Sequence, residues 1–248
     1  MPATGTGKPE ASFVLGVDGC PAGWVFARLE VENGALQAGI TKALADLITG
    51  PGADALAVMI DIPIGLADRG RRKCEALARR LLAPKRHSSV FSTPRRPMLA
   101  FADYETANVW GKAQGSDAGG GLSKQAWMIT PKIREADTTL HPADQARIGE
   151  AHPEVAFWRL NGGAPCTYGK RTTEGAAERL ALLTTHGLTG ADRVYNELRK
   201  AAGAGVARDD VYDACALALT AKARLAGDAL RLTDGAQDAR GLVMEIWG

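Results

Sequence analysis

The sequence predicts an α/β protein: a mixed sheet of about five strands with helices on both faces. Three stretches carry that reading. Phe13 to Asp18 is an apolar, glycine-containing run that ends in a carboxylate, and a second strand, Trp24 to Glu30, follows almost at once. Leu56 to Pro63 opens with an unbroken apolar run, the pattern of a central strand covered on both faces, and carries Asp61 near its end. Asp210 to Ala226 is a long Ala/Leu-rich helix with Asp210 and Asp213 in its first turn, stopped by Gly227.

Between these landmarks the order is readable. Asn33-Gly34 is a hairpin signal, followed by a weaker strand over Ala35 to Ile40. Thr41 to Ile48 has helical character and stops at Gly50-Pro51-Gly52. Pro63 cannot donate a ladder hydrogen bond, so the strand bearing Asp61 should end there. Residues 66 to about 148 read as a helical, loop-rich insertion, with a helix over Cys74 to Leu82 and a polar loop over His87 to Pro94. Glu150, His152 and Glu154 recur at period two, which suggests a strand over about Glu150 to Leu160 with those three on one face. Thr173 to His186 reads as an amphipathic helix with Leu180 and Leu183 inward, and Leu242 to Trp247 as a last short strand. Three antiparallel strands, a helix, a parallel strand, a helical insertion, another strand and a closing helix make the RNase H-like arrangement. Residues 13–248 are expected to form one such domain, behind a polar Gly/Pro-containing tail at 1–12.

The 248 residues are 46% hydrophobic and 23% charged, ordinary for a globular protein with a sizeable core. No apolar stretch is long enough to span a bilayer, and the start of the chain lacks a signal-peptide core, so a cytoplasmic location is expected. Cys20, Cys74, Cys166 and Cys215 are scattered without a Cys-x-x-Cys pair, which argues against a zinc site or a disulfide framework. Cys20 lies near Asp18 with no evident general base, so it reads as a structural thiol.

The net charge of +2 hides an uneven distribution. Arg69, Arg71, Arg72, Lys73, Arg79, Arg80, Lys85, Arg86, Arg95 and Arg96 face a single acid, Glu75. Two readings stand side by side: a solvated helix face with its loop, or a surface for phosphates.

The acids carry the chemical argument. Asp18 and Asp61 end two strands that are neighbours if the sheet is as read, and Asp210 and Asp213 share a helix face. Two carboxylates ~4 Å apart repel by about 4 kcal/mol at an effective dielectric of 20. A cluster of them needs protons or cations, and oxygen ligands suit Mg²⁺ or Mn²⁺. Two such ions ~3.5–4 Å apart can drive phosphodiester hydrolysis. The alternative for the helix pair is local: an N-cap aspartate and an acid placed by the dipole. His152, before a proline, could likewise do no more than hold a backbone carbonyl.

These residues also carry a resemblance. Gly16-Val17-Asp18-Gly19-Cys20-Pro21-Ala22-Gly23-Trp24 and Ile60-Asp61-Ile62-Pro63-Ile64-Gly65 are similar to motifs of the predicted RNase H-like nucleases called domain of unknown function 429. Ser88-Ser89-Val90-Phe91, Leu122-Ser123-Lys124-Gln125, Ile133-Arg134-Glu135-Ala136-Asp137 and Glu150-Ala151-His152-Pro153-Glu154 continue it in order. Tyr168-Gly169-Lys170-Arg171-Thr172, Glu178-Arg179-Leu180 and Asp209-Asp210-Val211-Tyr212-Asp213-Ala214 close it. Ala136 departs from the β-branched residue expected there. The resemblance implies the RNase H-like fold and a nuclease activity.

The resulting expectation is a metal-dependent phosphodiesterase acting on DNA or RNA. Asp18, Asp61, Asp210 and Asp213 would hold Mg²⁺ or Mn²⁺, with Glu154 or Glu150 as an outer ligand. His152, Lys124 and Lys170 would serve the scissile phosphate or leaving group, and Arg69, Arg71, Arg72, Arg79, Arg80, Arg86, Arg95 and Arg96 would hold the backbone. Two other classes stay open: an ATP-binding phosphotransferase of the actin and sugar-kinase type, and a non-catalytic nucleic-acid or metabolite binder.

Overall fold

The computed structural model describes residues 12–248, so the tail expected at 1–12 lies, Ser12 apart, outside the described residues. The first three strands, β1 (Phe13–Cys20), β2 (Gly23–Glu30) and β3 (Leu36–Thr41), form an antiparallel meander. Asn33 and Gly34 turn the second hairpin: Gly34 takes a φ of 71° and the Asn33 side chain accepts the Ala35 amide at 2.8 Å. A short helix, α1 (Leu44–Thr49), leads to β4 (Val58–Ile60), which pairs in parallel with β1.

The insertion that follows is helical, as expected, and holds α2 (Lys73–Leu81), α3 (Tyr104–Ala113), α4 (Lys124–Met128) and α5 (Thr130–Thr139). It returns through β5 (Ile148–Glu150), which adds in parallel beside β4 to complete the order β3-β2-β1-β4-β5. The remaining elements are α6 (Pro153–Leu160), α7 (Thr173–Thr185), α8 (Ala191–Ala202), α9 (Arg208–Ala226), β6 (Arg231–Gln237) and β7 (Val243–Trp247).

Two expectations are corrected here. The strand anticipated over Glu150 to Leu160 ends at Glu150, and Pro153 to Leu160 is helical. Proline at the first helical position presets φ, and the His152 ring accepts the Glu154 amide at 3.2 Å as an N-cap, so the period-two acids straddle a strand end and a helix start. The last strand does form, but it pairs with β6, a strand not anticipated, in a separate two-stranded sheet. An isolated parallel bridge from Ala151 to Trp247 links that sheet to the main one.

Alternation along β1 and β4 divides the core. Leu15, Val17, Val58 and Ile60 face α1 and α5, against Leu44, Leu47, Ile133 and Ala136. Val14, Ala57 and Met59 face α6, α7, α8 and α9. By the same alternation Gly16, Asp18 and Asp61 belong to the α9 side. Gly16 is what lets α9 lie so close: a Cβ there would stand 2.0 Å from the Ala214 carbonyl oxygen and 2.1 Å from the Ala218 nitrogen. The chain therefore presses the backbone of the closing helix onto β1 two residues before Asp18. Among the described residues no helix is long and apolar enough to cross a membrane.

Candidate active site

Val17 pairs with Ile60 at the end of the β1–β4 ladder, and the Asp61 amide donates to the Val17 carbonyl at 2.9 Å. That register sets Asp18 and Asp61 side by side at the carboxyl ends of two parallel strands, the usual place for ligands in open α/β sheets. The contact of α9 at Gly16 brings Asp213 over the same spot. Asp18, Asp61 and Asp213 line one cavity of about 840 Å³, together with Glu154, Lys170, His152 and Cys20.

Electrostatics show how tightly these carboxyls are held. Burial, then repulsion from Asp61 and Asp213, raises Asp18 well above the usual carboxylate range. Burial and Asp213 push Asp61 up to about 7, and burial raises Asp213 to about 6 although Lys170 pulls the other way. Lys170 Nζ donates to Asp213 Oδ2 at 2.7 Å and lies 3.5 Å from Asp209. These carboxylates keep the Lys170 ammonium charged. The remaining Asp213 oxygen, Oδ1, is buried without a hydrogen-bond partner among the described residues, and so is Glu154 Oε2.

Those two orphaned oxygens bear on whether a divalent cation fits. Buried, unpartnered carboxylate oxygens are costly, and a hard cation would satisfy them. Asp18, Asp61 and Asp213 have the right chemistry and share the cavity. Among the described residues, however, no group of three or more His, Cys, Asp or Glu side chains is placed to hold a metal ion as the side chains stand. What fits is the chemistry of the donors: carboxylate oxygens, the type of ligand that Mg²⁺ and Mn²⁺ take.

Other expected residues fall elsewhere. Asp210 accepts the Ala207 amide at 2.9 Å in the first turn of α9 and is outside the cavity lining, so the local capping role accounts for it. Glu150 is buried, bound by Arg72 and by the Ile64 amide at 2.7 Å, and outside the cavity lining. Glu154 does line the cavity, with Oε1 accepting from Arg179 at 2.5 Å. His152 is engaged at both ring nitrogens, by the Glu154 amide and, at 3.4 Å, the Ser89 carbonyl. Burial lowers its pKa, and as the N-cap it fixes the start of α6. Lys124 is exposed on α4, near the Tyr104 ring at 5.9 Å and outside the cavity lining.

The basic segment does not form a continuous surface. Arg72 and Arg95 are buried; Arg95 donates to the carbonyls of Gly111 and Gly120 at 3.1 and 3.0 Å. Arg79 holds the Val90 carbonyl at 2.8 Å, Arg86 the Cys166 carbonyl at 3.0 Å, and Arg96 pairs with Asp137 and Asp238. Arg69, Arg71 and Arg80 are exposed. Of the segment's cations, Lys85 and Arg86 line the cavity.

Lys42 and Lys132 line it too, and neither stands out from the sequence as a site residue. Lys132 crosses the end of β1, donating to the Gly23 carbonyl at 2.6 Å and lying 4.3 Å over the Trp24 ring. Gly19 makes room for it, since a Cβ there would meet the Lys132 chain at 2.8 Å. Burial lowers the Lys132 pKa. Gly19 directly after Asp18 was the available signal, and the partner it admits is more than a hundred residues away.

Fold and cavity thus define the class: an α/β protein with an RNase H-like sheet order and a carboxylate-lined cleft at its parallel strand ends. The chain belongs to the family described as protein of unknown function (DUF429), whose model matches residues 16–238. No curated protein and no solved structure matches it.

Proposed function

We propose that this protein is a Mg²⁺- or Mn²⁺-dependent phosphodiesterase of the RNase H-like type, acting on nucleic acid. One observation carries the reading: three carboxyls from β1, the end of β4 and α9 line one cavity, with Asp213 Oδ1 buried and without a partner among the described residues. Asp18, Asp61 and Asp213 would hold the ion. When bound, such an ion polarises a phosphoryl oxygen and makes water a nucleophile near neutral pH.

The chain's own residues supply the rest. Lys170 neutralises Asp213 and presents its ammonium to the cavity; Lys132, Lys85, Arg86 and Lys42 ring the same space and suit a phosphate. Glu154, held by Arg179, would order a water beyond the ion through its second oxygen, which has no partner among the described residues. His152 holds the Ser89 carbonyl and the start of α6 in position.

A second reading, a small phosphorylated substrate, is favoured by the cavity's 840 Å³, within the range of small-molecule sites, and by the dispersal of the basic segment. The deciding experiment is a screen of single- and double-stranded DNA and RNA, junctions and small phosphodiesters with Mg²⁺ and Mn²⁺. Metal-dependent cleavage of a polymer supports the first reading and cleavage of small diesters alone the second. No hydrolysis by protein shown to bind metal removes both.

A further inference from the structure

We infer that Lys170 stands in for a second metal ion, so that the carboxylate cluster takes one divalent cation and not a pair. The inference rests on the metal-dependent reading above and concerns how many ions that site admits.

The Asp213 carboxylate is divided between two roles. Oδ2 receives the Lys170 ammonium at 2.7 Å, and Oδ1 is buried without a partner among the described residues. A carboxylate bridging two ions would offer one oxygen to each; here one of those oxygens already faces a cation. Charge leads to the same count. Glu154 is neutralised by Arg179 at 2.5 Å. Asp18, Asp61 and Asp213 carry at most three negative charges, and the Lys170 ammonium, which is hydrogen-bonded to Asp213, offsets one of them, leaving no more than the charge that a single divalent ion balances. On the opposite wall Glu135 is engaged by the Trp24 indole at 3.0 Å and the Leu44 amide, and Lys132 by the Gly23 carbonyl.

Lys170 is also built in, which separates it from a surface lysine that swings into a nearby acid. Its side chain is 37% exposed and sits on the connection between α6 and α7. Glu178 Oε1 and Oε2 accept the Thr167 and Tyr168 amides at 2.7 and 2.9 Å, and buried Arg179 donates to the Tyr168 carbonyl at 3.2 Å. On the far side the Thr172 amide donates to the Gly169 carbonyl at 3.0 Å. Gly175 packs so tightly there that a Cβ would lie 1.9 Å from the Gly169 oxygen. The loop is pinned on both sides of Lys170, so the ammonium keeps its place when the cavity fills.

The test is Mn²⁺ titration of the full chain by calorimetry, with bound ion counted independently by electron paramagnetic resonance. Wild type should bind one equivalent. Lys170→Met, which keeps the stem and removes the charge, should bind a second equivalent, whereas Lys170→Arg should stay at one. Two equivalents in wild type, or one unchanged in folded Lys170→Met, would overturn the inference and leave the metal-dependent reading standing. No Mn²⁺ bound by wild type would overturn both.

Discussion

The carboxylate cluster and the basic segment are opposites. Asp18, Asp61 and Asp213 are scattered over nearly two hundred residues of sequence, yet they line one cavity. Ten cations fall within the 28 residues from Arg69 to Arg96, yet they disperse to buried pairs, carbonyl anchors and separate surfaces. The difference is backbone geometry. Strand register and the helix contact at Gly16 fix the acids, whereas α2 and its flanking loops turn successive cations in different directions. Sequence proximity of charge is therefore a weak guide to a surface; position at a strand end is a stronger guide to a site.

The largest expected effect falls on the acids. Loss of an outer-shell partner usually costs 10- to 100-fold in metal affinity or activity, so loss of a ligand should cost at least about 100-fold. Asp61→Asn should abolish metal-dependent hydrolysis while the far-ultraviolet dichroism stays native. Retained turnover would break the convergence side of the comparison.

Next are paired substitutions within the basic segment. Arg72→Ala leaves Glu150 buried without its cation and should destabilise by about 3–5 kcal/mol, whereas Arg80→Ala, exposed, should stay within about 0.5 kcal/mol. Denaturant midpoints check both, and equal effects would mean the segment is not divided as described. Gly16→Val forces atoms into the α9 backbone, and overpacking of this kind costs about 3 kcal/mol or more. Its Tm should fall by roughly 6–12 °C on the usual scale for a chain of this size.

A smaller effect concerns pH. Unfolded aspartates titrate near 3.9, but Asp61 is raised to about 7 and Asp213 to about 6. The folded protein thus keeps protons that the unfolded chain releases. Their contribution to stability is complete below about pH 4 and lost as pH rises through about 7. Metal-free protein should lose stability steadily from this source between pH 5 and 8, and Asp61→Asn should flatten the slope. A metal-free stability that rises over that range would contradict the burial of these acids.

Smallest is the salt dependence of any nucleic-acid binding. Lys85→Ala and Lys42→Ala, at the cavity, should each flatten the slope of log K against log salt by about 0.7–0.9; Arg80→Ala should leave it unchanged. The opposite pattern would restore the basic segment as the backbone track.

Much of the frame was legible from the sequence. The glycine-bounded run ending in Asp18, the apolar run into Asp61 and the Ala-rich helix with Asp213 are local patterns, and each forms the element expected of it. The sheet order follows from them. What escaped was set by tertiary contact or by overlapping local signals. Lys132 reaches the cavity because Gly19 admits it, a relation no window of sequence contains. The Glu150–His152–Glu154 pattern reads as a strand only if Pro153 is ignored, and here proline and the His152 cap decided the local structure. Strand β6 has an irregular pairing with β7, broken between Thr233 and Gln237, and little burial, so it lacks the alternation that marks a strand.

The most direct test of the central claim is a crystal of the protein soaked in Mn²⁺ and measured for anomalous scattering at the manganese edge. A peak is expected at roughly 2.0–2.2 Å from carboxylate oxygens of Asp18, Asp61 and Asp213, the usual range for a small hard divalent ion. A cavity with no peak at saturating Mn²⁺, or a peak bound by other residues, would contradict that claim.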